Sequence, residues 1–164
     1  MPALELHWSA ANTSVTSVTS ATSTAPRALV LDTNIVLDLL LFTDPLTADL
    51  RQLLASGQLR WLATTPMREE LARVLQYPQL QPRLAFYGLS AEQLLQRFDA
   101  SVTPPLLPPA ARAPYVCKDA DDQKFIDLAA AEQAILLSKD KAVLSLRKRL
   151  STLGADIASC LKLV

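Results

Sequence analysis

The sequence predicts an α/β protein, a three-layer α/β/α sandwich around a mostly parallel central sheet, and three observations carry that prediction. Short apolar runs alternate with stretches of helical periodicity along the chain after residue 26. Two of those runs, Ala28-Leu29-Val30-Leu31 and Ala134-Ile135-Leu136-Leu137, have no polar interruption, which reads as strands covered on both faces. Both then stop on a polar residue, Asp32 and Ser138, at the carboxyl edge where open α/β sheets bind their ligands.

Bulk properties narrow the class further. A chain of 164 residues fits one domain and buries enough surface to fold without disulfides. Sixteen basic residues balance sixteen acidic ones, so net charge neither points to a nucleic-acid partner nor excludes one. Cys117 and Cys160 have no short-range spacing, which argues against a zinc site or a disulfide scaffold and for reduced thiols in a cytoplasmic protein. Ile35 to Phe42 is the longest apolar stretch; Asp38 breaks it, and it is far short of the ~20 residues of a membrane span. The sole histidine, His7, lies in a Ser/Thr-rich tail, so no Ser-His-Asp or Cys-His set is available.

In chain order, residues 1–26 are dominated by Ser, Thr and Ala and are expected to be a disordered or loosely attached tail, with the folded domain at 27–164. After the strand ending at Asp32, Ile35 to Leu41 reads as a short buried helix. Leu46, Leu50, Leu53 and Leu54 form the stripe of a second helix, closed by Gly57. Leu59 to Ala63 is the next strand, and Thr65-Pro66 opens a helix carrying Leu71, Val74 and Leu75 inward. Tyr77 to Gly88 reads as a connector, and Ser90 to Gln93 is a capping box opening a helix to about Ala100. The prolines of Thr103 to Pro114 imply an extended surface loop. Asp121 to Ala131 is a helix, Ala134 to Ser138 a strand, Lys141 to Leu150 a basic helix, and Leu153 to Ala158 a candidate edge strand.

Three further acids fall near Asp32 in this layout. Glu70 lies one turn into the helix after the second strand; Glu69 points about 100° away, so only one of the pair can face the cleft. Asp119 reads as an N-cap. Asp122 has Phe125, Ile126 and Ala129 at +3, +4 and +7, hence an inward face, where an unpaired carboxylate costs several kcal/mol by the usual estimates unless something binds it. Asp140 follows the second apolar run and suits both an N-cap and the cluster. Converging carboxylates repel, and oxygen donors without His or Cys select hard cations, Mg²⁺ or Mn²⁺, the ions of phosphodiester hydrolysis.

Leu31-Asp32-Thr33-Asn34, Thr65-Pro66-Met67-Arg68-Glu69-Glu70-Leu71-Ala72-Arg73-Val74-Leu75, Asp119-Ala120-Asp121-Asp122-Gln123-Lys124-Phe125 and Ser138-Lys139-Asp140 resemble, in order and spacing, the four acidic blocks of the PIN-domain nucleases. The nearest branch is the VapC-like toxins of toxin–antitoxin systems. The resemblance implies a Mg²⁺- or Mn²⁺-dependent ribonuclease, often homodimeric and silenced by a small antitoxin protein. It implies that Asp32, Glu70, Asp122 and Asp140 are the catalytic, metal-binding acids, and that Asn34 and Ser138 support the acids or the water by hydrogen bonding. Asp119 and Asp121 match an extra acidic stretch of that branch. Ala158-Ser159 stands where a proline usually opens the last segment, and the tail has no counterpart.

RNA needs positive surface, for which Lys139 and Lys141 are candidates; a solvated helix face explains them equally well. A catalytically inactive PIN module that binds RNA or a protein partner is the alternative reading. Receiver and dehalogenase-like phosphatase domains want a second acid where Thr33 or Asn34 stands, and three glycines in the whole chain leave no glycine-rich nucleotide turn.

Overall fold

The computed structural model describes residues 3–9 and 26–164. In chain order these form β1 (Glu5–Trp8), β2 (Arg27–Leu31), α1 (Thr33–Leu40), α2 (Ala48–Ala55), β3 (Leu59–Trp61), α3 (Thr65–Val74), α4 (Gln81–Phe86), α5 (Ala91–Ser101), α6 (Gln123–Glu132), β4 (Ile135–Leu137), α7 (Lys141–Leu144), α8 (Arg147–Ser151), β5 (Asp156–Ala158) and β6 (Cys160–Leu163).

The central sheet is parallel, in the order β3-β2-β4-β5. Leu29 sits opposite Ile135 and Leu31 opposite Leu137. Leu29, Val30, Ile135 and Leu136 are fully buried, as unbroken apolar strands in the middle of a parallel sheet must be. The crossovers leave β2 and β4 in opposite directions, so right-handed connections put α1 and α2 on one face and α7 and α8 on the other. That is the predicted three-layer sandwich. Among the described residues no helix is long and apolar enough to cross a membrane.

The ladder runs one residue past the two central strands. Asp32 N–H donates to Leu137 O at 3.0 Å, and Ser138 N–H donates to Ala158 O at 3.0 Å. Both side chains are thereby fixed at the carboxyl edge by backbone bonds.

Several expectations need correction. Residues 3–9 are no loose tail: β1 pairs in parallel with β6, and Trp8 is buried with its indole N–H on Gln58 Oε1 at 3.2 Å. The rest of the expected tail lies outside the described residues, 26 excepted. The N-cap of α3 is Thr64, one residue before the expected Thr65, with Pro66 still in the first turn. Tyr77 to Gly88 is mostly helical, Pro78 and Pro82 both standing in first turns where a missing N–H does no harm. Leu46 is exposed, because Pro45–Thr47 forms a 3₁₀ turn that rotates it off the face carrying Leu50 and Leu53.

The proline-rich stretch is an extended loop with its prolines exposed, as expected, and it is also anchored. Thr103 and Leu107 N–H donate to Trp61 O and Ala63 O at 2.8 and 3.0 Å, and Thr65 N–H donates to Leu107 O at 3.0 Å, so the loop pairs along the edge of β3. The single basic helix at Lys141 to Leu150 is two helices; Ser145 Oγ donates to Ala142 O at 2.7 Å, a local bond that competes with continued helix. The edge strand foreseen after Leu153 exists as β5. Ser159 then turns the chain by bonding Leu4 O through its N–H and its hydroxyl, at 2.8 and 2.9 Å, and leads into β6.

Candidate metal centre

Each acid arrives at the carboxyl edge for a local reason. Asp32 ends β2 and is the N-cap of α1, which leaves it 5% exposed. Its Oδ2 accepts the Ser138 hydroxyl at 2.6 Å, and the nearby Asn34 backbone N–H favours its charged form, while the Asn34 side chain is exposed. Ser138 is fully buried, and its Oγ accepts the Asp140 N–H at 3.0 Å. Asp140 caps α7, Oδ1 accepting from Ala142 N–H at 2.7 Å, so the cap and the edge position coexist as the sequence allowed.

Asp119 caps the 3₁₀ turn Ala120–Asp122, its Oδ1 accepting from Asp121 N–H at 3.0 Å. Asp122, at the end of that turn, is 9% exposed, while Phe125, Ile126 and Ala129 of the same face are buried. The loop presenting Asp119 is fastened to α6. Gln123 Oε1 accepts Cys117 N–H at 2.6 Å, Gln123 Nε2 donates to Tyr115 O at 3.1 Å and to Asp127 Oδ1 at 2.8 Å, and Asp127 Oδ1 accepts Ala113 N–H at 2.8 Å.

Glu70, rather than the exposed Glu69, turns inward. Its Oε2 accepts a hydrogen bond from Thr33 Oγ1, and its Oε1 is 2.9 Å from Lys124 Nζ, which also donates to Asp121 O. Asp121 itself is exposed and adds main chain rather than carboxylate.

One oxygen from each of Asp119, Asp122 and Asp140 lies within 4.8 Å of the other two. Oxygen ligands across a hard cation, at 2.0–2.6 Å each, stand at most about 5 Å apart, so the trio fits the donor set of Mg²⁺, Mn²⁺ or Ca²⁺. Burial, and then the charges of Asp32, Asp119, Asp140 and Glu70, push Asp122 up to about 7. Burial also raises Asp32, helped by Glu70 and Asp140 and opposed by the Ser138 hydroxyl. Of the four acids singled out from sequence, Asp32, Glu70 and Asp140 are thus near enough for their charges to raise Asp122. Asp119, expected only as a cap or an accessory acid, joins Asp122 and Asp140 more closely than Asp32 or Glu70 does.

Two contacts were missed by sequence reasoning: Thr33, whose place directly after Asp32 was its only signal, and the engagement of Glu70 by Lys124, where helical spacing relates neither residue to the other. Of the proposed phosphate contacts, Lys139 Nζ is bound to Asp38 Oδ2 at 2.5 Å, and Lys141 is exposed on the first turn of α7.

A parallel α/β sheet with a cluster of carboxylates at the ends of its central strands is the class of arrangement the chain presents. The PIN-domain family model matches residues 28–142, more than half of the chain, and the protein belongs to the PIN-domain family. Members of this family are generally metal-dependent nucleases. No curated protein matches the chain at a significant level.

Proposed function

We propose that the protein is a Mg²⁺- or Mn²⁺-dependent endoribonuclease, the toxin component of a toxin–antitoxin pair, with a small antitoxin protein and a second copy of the chain as its partners. The observation that carries the reading is the meeting of Asp119, Asp122 and Asp140 within 4.8 Å, with the charges of Asp32 and Glu70 near enough to act on Asp122. A divalent cation bound there would acidify a water and offset charge on the leaving oxygen of a phosphodiester. Asp122 and Asp140, with Asp119, are the direct ligands in this reading, and Asp32 and Glu70 complete the catalytic acids. Ser138 and the Asn34 N–H orient Asp32, and Thr33 and Lys124 orient Glu70. Lys141, exposed and in no ion pair among the described residues, is the candidate contact for phosphate.

Purified protein incubated with structured RNA should cleave it in Mg²⁺ or Mn²⁺, stop in EDTA, and lose activity on Asp122→Asn. Cleavage unchanged by that substitution removes the site. Inducible expression in a bacterial host, wild type against Asp32→Asn, tests toxicity through growth arrest and RNA decay. A second reading, a PIN module that binds RNA or a partner without turnover, draws on Glu70 being already occupied by Thr33 and Lys124. Calorimetric metal binding without RNA cleavage would select it.

A further inference from the structure

Beside the carboxyl end of β4 a cavity of about 600 Å³ opens between stretches of chain that are far apart in sequence. Leu4 comes from the segment entering β1, Leu46 from the 3₁₀ turn before α2, Leu144 from α7 and Cys160 from the start of β6. The volume falls within the range of about 300–1,000 Å³ that small organic ligands occupy. Leu46, which its 3₁₀ turn rotates off the α2 stripe, stands 57% exposed on this wall. An apolar body seated there removes that surface from water.

The polar groups of the lining are already engaged. Leu4 O accepts three hydrogen bonds, from Ser159 N–H at 2.8 Å, Ser159 Oγ at 2.9 Å and Cys160 N–H at 3.3 Å. Ser145 Oγ donates to Ala142 O at 2.7 Å, so both serine hydroxyls of the lining are taken as donors. An extended peptide or a nucleotide brings N–H, C=O or ring heteroatoms that would be left unpaired against such walls. A hydrocarbon chain brings none.

The charge at the cavity is of one sign. Lys139 and Lys141 line it, and no acid does. Lys139 Nζ is held by Asp38 Oδ2 at 2.5 Å, whereas Lys141 forms no ion pair among the described residues. The acids next to the lining in sequence are engaged elsewhere. Asp44 Oδ1 accepts Leu46 N–H at 2.9 Å, Glu5 Oε1 lies 2.7 Å from Lys162 Nζ, and Asp140 accepts Ala142 N–H and joins the acidic cluster. One cation is left to meet one negative head.

We infer that this cavity binds a free fatty acid, with its hydrocarbon chain against Leu4, Leu46 and Leu144 and its carboxylate on Lys141 Nζ. A long-chain carboxylate carries a single charge at one end and no other polar group to satisfy, which is the complement of these walls. Binding needs neither a metal ion nor RNA, so it stands apart from the nuclease reading.

The test is isothermal titration calorimetry of the full chain in EDTA without RNA, using octanoate, decanoate, decanol and decyltrimethylammonium below micelle-forming concentrations. Decanoate should bind saturably. Octanoate, two methylenes shorter, should bind on the order of tenfold more weakly. Lys141→Gln should weaken decanoate binding on the order of fivefold and leave decanol binding unchanged. Leu46→Glu, at an exposed position, should abolish decanoate binding with unchanged circular dichroism. No decanoate binding by wild type, equal affinity for octanoate and decanoate, tighter binding of decyltrimethylammonium than of decanoate, or decanoate binding indifferent to both substitutions overturns the site. So does saturable binding of an acidic, leucine-rich peptide by a protein that ignores decanoate, which assigns the cavity to a protein partner.

Discussion

The Ser138 hydroxyl is shared between two strand ends: it donates to Asp32 Oδ2 at 2.6 Å and accepts from Asp140 N–H at 3.0 Å. One fully buried side chain thereby sets the separation of two pocket acids and lowers the proton affinity of one of them.

Ser138→Ala leaves the buried Asp32 carboxylate and the Asp140 N–H each one partner short. The expected cost is about 1–3 kcal/mol in urea denaturation. Asp32 should also move further up, read by carboxyl NMR titration of the metal-free protein. An unchanged midpoint and titration would show the bond to be dispensable.

Asp122 gives the protein a pH dependence of definite sign. Folded, it titrates at about 7; unfolded, near the ordinary 3.8. Between those values the folded state keeps a proton that the unfolded state has lost. This group's contribution to stability therefore falls as pH rises from about 4 to 7 and stays low above that. Asp122→Asn should melt higher than wild type at pH 8 and converge with it near pH 4. A divalent cation displaces the same proton, so metal affinity should rise with pH through neutrality, with proton release detected by calorimetry in buffers of different ionisation enthalpy. Flat affinity between pH 6 and 8 contradicts this.

Lys124 reaches the acidic edge, 2.9 Å from Glu70 and partly buried with it. Lys124→Gln leaves the acids without that neutralising charge. Without metal the variant should lose about 1 kcal/mol of stability at pH 8. Saturating Mn²⁺ should close the deficit. A deficit of the same size with and without Mn²⁺ would indicate lost packing instead of repulsion.

Trp8 is a buried side chain of β1, 5% exposed. Trp8→Ala should cost about 3–5 kcal/mol in thermal or urea unfolding, the usual range for a buried Trp. A loss under 1 kcal/mol would mean that β1 contributes little to the fold.

Much of this architecture could be read from the chain. The runs ending at Asp32 and Ser138 were legible because strands covered on both faces tolerate no polar residue until they leave the core. Ser90 and Gln93 were legible because their reciprocal bonds, 3.1 and 2.8 Å, are local. Asp122 could be placed because helical spacing alone fixes its face. What escaped depends on distant partners. β1 and β6 are four residues each, pair across most of the chain, and alternate too briefly to stand out. The closeness of Asp119 to Asp122 and Asp140 depends on the loop bonds to Gln123 and Asp127, which no periodicity encodes. The helix at Gln81–Phe86 was hidden by prolines that in fact stand in first turns.

The Ser138–Asp32 bond joins residues 106 positions apart. Closing so long a loop is entropically slow and comes late, after local helices have formed. A chain that has emerged only as far as α5 has neither β4 nor Asp119, Asp122 and Asp140. The acidic cluster is therefore a product of late synthesis: no portion of the chain that ends before Asp140 can assemble Asp119, Asp122 and Asp140 together.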